Sequence, residues 1–146
     1  AELSKEYSAD IGEFSSTIIV LAINPKTGNY MILHIGDGGI MAERTDHSIE
    51  LISKPENGIT KQYTWLTTNS ELLAHIRIEF GNVGSFSRII MFSDGADVIC
   101  NGNNIPGKIK HFLDEKVDAD VMFDYIKKSG HVDDASCAII DIVNIM

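Results

Sequence analysis

Short apolar runs, each closed by a turn signal, constrain this chain more than any other feature. Ser16–Ile23, Tyr30–Ile35, Ile40–Glu43, Ser48–Ile52, Leu73–Phe80, Arg88–Phe92 and Ser136–Val143 are 4 to 8 residues long and rich in β-branched and aromatic residues. Runs of that length between turn residues are strands. The signal Asn24-Pro25-Lys26-Thr27-Gly28-Asn29 closes the first hairpin, and Arg44-Thr45-Asp46-His47 closes another. Ser53 to Gln62, with Pro55 and Asn57-Gly58, reads as a surface loop, and Gly81 to Ser87 as another. At the N-terminus Leu3, Tyr7 and Ile11 recur at helical spacing. Later the period changes to that of a helix. Ile109, Phe112 and Leu113 mark one helix. Val121, Met122, Tyr125 and Ile126 mark a second, capped by Asp118 and stopped by Gly130. Sequential strands, then helices, then a last strand predict an α+β fold with antiparallel β-sheets flanked by helices. The chain's 146 residues form a single domain, 1–146.

Three of the strands meet acidic turns. Ile89-Ile90-Met91-Phe92 runs into Ser93-Asp94-Gly95-Ala96-Asp97. Tyr30-Met31-Ile32-Leu33 runs into His34-Ile35-Gly36-Asp37-Gly38-Gly39. Val132-Asp133-Asp134-Ala135-Ser136 leads into the strand Cys137–Val143. A lone Asp-Gly after a strand is ordinary turn chemistry. Three such turns beside strongly apolar strands predict convergence on one sheet edge and a hard cation with oxygen ligands.

Composition narrows the partners. A net charge of −9, from 12 basic and 21 acidic residues, leaves no basic patch for nucleic acid or an anionic membrane surface. No apolar run approaches the ~18 residues of a membrane-spanning helix, and no signal peptide is visible. Cys100 and Cys137 sit in apolar surroundings without metal-ligand spacing. They read as buried thiols in a reducing, cytoplasmic compartment.

The order of these motifs resembles the metal-dependent Ser/Thr protein phosphatases of the 2C type. The Gly-Asp-Gly turn is that of the bacterial branch. Phe14-Ser15-Ser16-Thr17 takes the place of the family's Gly-Thr-Thr strand start. His34-Ile35-Gly36-Asp37-Gly38 takes that of its Gly-Asp turn. Met91–Asp97 matches its Ser-Asp-Gly motif, and Asp133-Asp134-Ala135-Ser136 its closing Asp-Asp-x-Ser motif.

The resemblance implies an αββα sandwich, incomplete at its N-terminus. It implies Asp94 and Asp133 as ligands of a dinuclear Mn²⁺ or Mg²⁺ centre, and Asp37 as ligand of an additional, weaker metal. It implies Gly95 as the point of close backbone approach to the metals and Asp134 as an outer carboxylate that orients waters. The activity implied is hydrolysis of phosphoserine and phosphothreonine in a phosphoprotein substrate by a metal-activated water. The alternative is a catalytically inactive binding or regulatory relative.

One departure favours that alternative. The family carries an essential acidic ligand and an Asp-Gly motif upstream of the Gly-Thr-Thr strand, whereas residues 1–13 contain no Asp-Gly, and Asp10 precedes Ile11. Half a metal site, poor turnover or none by residues 1–146 alone, and a homo-oligomer or an upstream segment as partner are the matching expectations. Other residues read more plainly. His34 is a packed strand histidine, and Asp97 caps the short helix after the turn. His131 is a minority candidate for a general acid, and Tyr63 with Trp65 forms either a flap or core packing.

Overall fold

The computed structural model describes residues 2–56, 64–99, 119–128 and 134–142. The chain enters through a short helix α1 (Glu2–Tyr7) and a 3-10 turn over Ile11–Phe14. Asp10 caps that turn reciprocally with Glu13. Strand β1 (Ile18–Ile23) alternates strictly. Ile19, Leu21 and Ile23 face the interior, while Ile18 and Val20 face outward. The turn after it closes through Gly28 N–H to the Asn24 carbonyl at 2.8 Å, with Gly28 at φ 70°. Strand β2 (Asn29–Ile35) returns antiparallel, pairing Ile23 with Tyr30 and Ile18 with Ile35.

At Gly36-Asp37-Gly38 the chain leaves this sheet for a second one. Strands β3 (Gly39–Arg44) and β4 (Ile49–Ser53) form a hairpin around the predicted turn, where His47 sits at φ 64° and Asp46 Oδ1 accepts the Ser48 N–H. Helix α2 (Leu72–His75), β5 (Arg77–Asn82), β6 (Phe86–Phe92), helix α3 (Ala119–Lys128) and β7 (Cys137–Asp141) follow. The strand orders are β1-β2-β5 and β4-β3-β6-β7, with every described pairing antiparallel. The fold is α+β, as the pattern of runs predicts.

Two apolar layers hold it together. Ile32 from the first sheet meets Ile40, Ala42, Ile89 and Ile142 between the sheets, with Val83 and Phe86 closing the layer. On the outer face of the second sheet, Met122 and Ile126 of α3 pack on Met41, Ile90 and Phe92. The other faces of α3 carry Asp120, Asp124, Lys127 and Lys128 in solvent together with Val121 and Phe123, so Val121 does not join the packed face on which its spacing put it. The outer face of the first sheet bears Ile18, Val20, Met31, Ile78 and Phe80, all exposed among the described residues.

Two expectations about these strands need correction. Leu73–Phe80 is not one strand: its first half is α2. Asn69 seeds that turn, accepting from Glu71 N–H with its side chain and from Leu72 N–H with its carbonyl. Leu73 is 87% exposed. Gly81–Ser87 is not a loop either. Pairing runs on to Asn82 opposite Asn29, and only a 3-10 turn over Val83–Ser85 separates β5 from β6. The acidic turns, by contrast, do share one end of the second sheet: Gly39 at the start of β3 pairs with Phe92 at the end of β6, and Phe92 with Cys137 at the start of β7, while Asp37 also marks the crossover between the sheets. The helix expected around Ile109–Leu113 and the Asp118 cap lie outside the described residues.

Candidate metal centre

The end of β6 fixes the centre. Beyond Phe92 the chain turns at Ser93 and enters a 3-10 helix, Asp94–Ile99, with Ala96 N–H on the Ser93 carbonyl at 3.0 Å. Ser93 is tied to the turn before β7 from both sides. Its N–H donates to the Ser136 carbonyl at 2.9 Å, and its Oγ accepts the Ser136 N–H at 2.9 Å. Gly95 then runs against the backbone of Asp134. A Cβ on Gly95 would lie 2.7 Å from the Asp134 carbonyl carbon and closer still to its oxygen.

The crossover turn reaches the same place from the first sheet. A Cβ on Gly38 would lie 2.5 Å from the Phe92 carbonyl oxygen and 3.3 Å from Ser93 Cα. Gly36 sits at φ 114°, and a Cβ there would strike the side chain of Thr17, at the threshold of β1. The turns of Asp37, Asp94 and Asp134 therefore meet at one end of the sandwich. Beside them opens a cleft of about 300 Å³, lined by Thr17, Ile19, Gly38, Ser93, Ser136 and Ala138 among others.

Asp37 is half-buried, whereas Asp94 and Asp134 are exposed. Thr64 Oγ1 donates to Asp37 Oδ2. The Gly36 carbonyl accepts Glu56 N–H at 3.0 Å and Arg77 Nη2 at 3.3 Å. Arg77 also donates to the Lys54 carbonyl and faces Glu56 Oε2 at 3.5 Å. Trp65 stacks on His75, ring centroids 3.4 Å apart and planes inclined by 11°. Asp133, His131, Tyr63 and Cys100 lie outside the described residues.

Asp97 lies inside the 3-10 helix rather than at its cap, because the helix already begins at Asp94. His34 is the packed strand histidine its context predicts. It is fully buried, with Nδ1 at 2.8 Å from Ser53 Oγ on the opposite sheet. Burial, then the charge of Arg77, lowers its imidazole to about 4. Burial also raises the Cys137 thiol, which keeps it protonated and unreactive. Thr64 and Arg77 went unnoticed in the sequence, since neither lies in a motif and both act at long range.

The donor chemistry suits a hard cation, because the atoms gathered here are carboxylate, hydroxyl and carbonyl oxygens. Among the described residues no three acidic, histidine or cysteine side chains stand close enough to hold an ion.

Solved structures share this fold. A bacterial serine phosphatase matches at a TM-score of 0.62 and 14% identity, over 86% of this chain and 56% of its own. The phosphatase domain of SpoIIE from Bacillus subtilis matches at 0.59 and 14%, over 97% and 63%. PppA, a regulatory component of the type VI secretion system in Pseudomonas aeruginosa, matches at 0.66 and 11%, over 94% and 61%. The chain thus spans roughly half to two thirds of the length of these structures. No curated protein matches it. The sequence profile of protein phosphatase 2C matches residues 1–136, and with that match the chain belongs to the protein phosphatase 2C family.

Proposed function

We propose that residues 1–146 form one domain that contributes to metal-dependent hydrolysis of phosphoserine and phosphothreonine in proteins, in the cytoplasm. One observation carries this reading: three acidic turns from two sheets meet at one end of the sandwich, with Gly38 against Ser93 and Gly95 against Asp134. A bound Mn²⁺ or Mg²⁺ supplies a water of lowered pKa and positive charge to balance the phosphoryl oxygens. Asp94 and Asp133 would hold it, and Asp37 would serve a further ion. Gly95 clears the space where Asp94 and Asp134 adjoin, and Asp134 orients water from the outer ring. The acidic surface disfavours nucleic-acid substrates.

A second reading, a regulatory relative without turnover, rests on residues 1–13, which hold no Asp-Gly motif. Hydrolysis of p-nitrophenyl phosphate separates the two. The enzymatic reading expects slow, Mn²⁺-dependent turnover that chelator abolishes, and complete inactivity at saturating Mn²⁺ favours the regulatory one.

Cation binding is tested directly by calorimetry. Asp94→Ala and Asp133→Ala are each expected to weaken Mn²⁺ affinity by at least the roughly 10–100-fold that even an outer partner is worth. Asp46→Ala, in the exposed turn between β3 and β4, leaves it unchanged. Equal affinity across all four proteins excludes the centre.

A further inference from the structure

Among the described residues, the segment between β4 and β5 reaches the Asp37 carboxylate through the Thr64 hydroxyl. Asp37 lies in a turn whose backbone is already fixed. Gly36 holds φ 114°, and its carbonyl accepts from Glu56 N–H and from Arg77 Nη2. None of these contacts determines where the Asp37 carboxylate points. Thr64 does, because its Oγ1 donates to Asp37 Oδ2. A carboxylate with one oxygen held by a hydroxyl loses freedom about its side-chain torsions. Its other oxygen keeps its acceptor capacity for a ligand.

We propose that Thr64 is a positioning residue that aims the Asp37 carboxylate at a divalent cation. The proposal rests on the reading of Asp37 as a cation ligand.

Thr64 is suited to the task because its own segment is anchored independently of Asp37. Thr67 N–H donates to the Ser16 carbonyl at 2.9 Å, and Ser16 N–H donates to Thr67 Oγ1 at 3.2 Å. Ser15 and Thr68 join through their hydroxyls at 2.5 Å. Trp65, next in sequence, is clamped by its stack on His75. Ser16 leads directly into Thr17, whose side chain packs against Gly36. The hydroxyl and the carboxylate are thus built on one footing. A bond between two fixed groups orients, whereas a bond from a loose loop would only follow.

The chemistry needs the hydroxyl and not the methyl group. Thr64→Val keeps the shape and removes the donor, and Thr64→Ser keeps the donor. Outer partners of metal-binding carboxylates are worth roughly 10–100-fold in affinity. The full chain and the variants Thr64→Val, Thr64→Ser, Asp37→Asn and Thr64→Val/Asp37→Asn are titrated with Mn²⁺ by calorimetry. Emission of Trp65, the chain's single tryptophan, is followed in parallel. Thermal melts check that each variant folds.

Thr64→Val is expected to weaken the Asp37-dependent binding step by roughly 10–100-fold, and Thr64→Ser by no more than about a tenth of that loss. The double variant should bind no more weakly than Asp37→Asn alone, since the hydroxyl then has no carboxylate to orient. The emission change on Mn²⁺ addition should be lost with Asp37→Asn. Wild-type affinity in Thr64→Val overturns the proposal, as does an equal loss in Thr64→Ser. In both cases an Asp94-dependent step leaves the proposed function standing. No Mn²⁺ binding by the wild-type chain overturns both.

Discussion

Gly95→Ala is expected to lower the melting temperature of the chain by roughly 6–12 °C. The new methyl group would meet backbone, not the end of a flexible side chain. Its carbon would lie 2.7 Å from the Asp134 carbonyl carbon and nearer still to the oxygen, with Ala135 Cα at 3.2 Å. The two turns cannot easily part, because Ser93 and Ser136 hold them together through two hydrogen bonds of 2.9 Å. Overpacking of this kind costs about 1–3 kcal/mol, and a backbone-to-backbone clash belongs at the upper end. For a chain of this size each kcal/mol shifts the midpoint by about 2–4 °C. Gly12→Ala is the control, since a Cβ there meets only the Asp10 carboxylate at 3.1 Å in an exposed turn. Circular dichroism melts of both variants read the difference. A Gly95→Ala midpoint equal to that of Gly12→Ala means that the Asp94 and Asp134 turns do not touch in solution.

That contact also shows how far a sequence can be read unaided. The Ser93-Asp94-Gly95 and Asp133-Asp134-Ala135-Ser136 turns are visible as turns, and their glycine and aspartates as candidate site residues. Strands β2, β3 and β6 follow from apolar runs and turn signals because those signals are local. The distribution of strands between sheets is not local. An antiparallel hairpin and a crossover between stacked sheets can use the same Gly-Asp-Gly turn, so Asp37 is legible as a residue at a strand end, but the change of sheet that follows it is not. Helix α2 was hidden for the opposite reason. Its residues are apolar and alternate weakly, but the hydrogen bonds at Asn69 set a helical turn there in place of a strand. Thr64 and Arg77 were least legible. Their contacts to Asp37 and Gly36 span 27 and 41 residues, and no local pattern announces them.

His34 is expected to make the fold lose stability as the pH falls from about 6.5 to about 4. The imidazole bridges the two sheets, on β2 with no exposure, and meets Ser53 Oγ across the interior. Protonation there would place a charge in an apolar layer and opposite Arg77, its cross-strand partner on β5. Burial first, and the Arg77 charge second, take the group from 6.5 to about 4. The sign follows from proton counts. Between these values the unfolded chain binds a proton at His34 and the folded chain does not, so acid favours unfolding. At 1.36 kcal/mol per pH unit the whole window amounts to about 3 kcal/mol. Above pH 6.5 the group is neutral in both states and adds no slope. Below about 4 both states are protonated and its slope vanishes again. His34→Gln keeps a polar partner for Ser53 and cannot titrate in this window. Other carboxylates and histidines contribute their own slopes, but they are common to both proteins and cancel in the difference. Urea unfolding of wild type and His34→Gln at half-unit pH steps from 4 to 8 reads that difference. The wild type should lose about 3 kcal/mol relative to the variant between pH 6.5 and 4. Parallel curves over that range would mean that His34 takes up its proton in the folded protein with little penalty, and that water or a rearranged Arg77 reaches the space between the sheets.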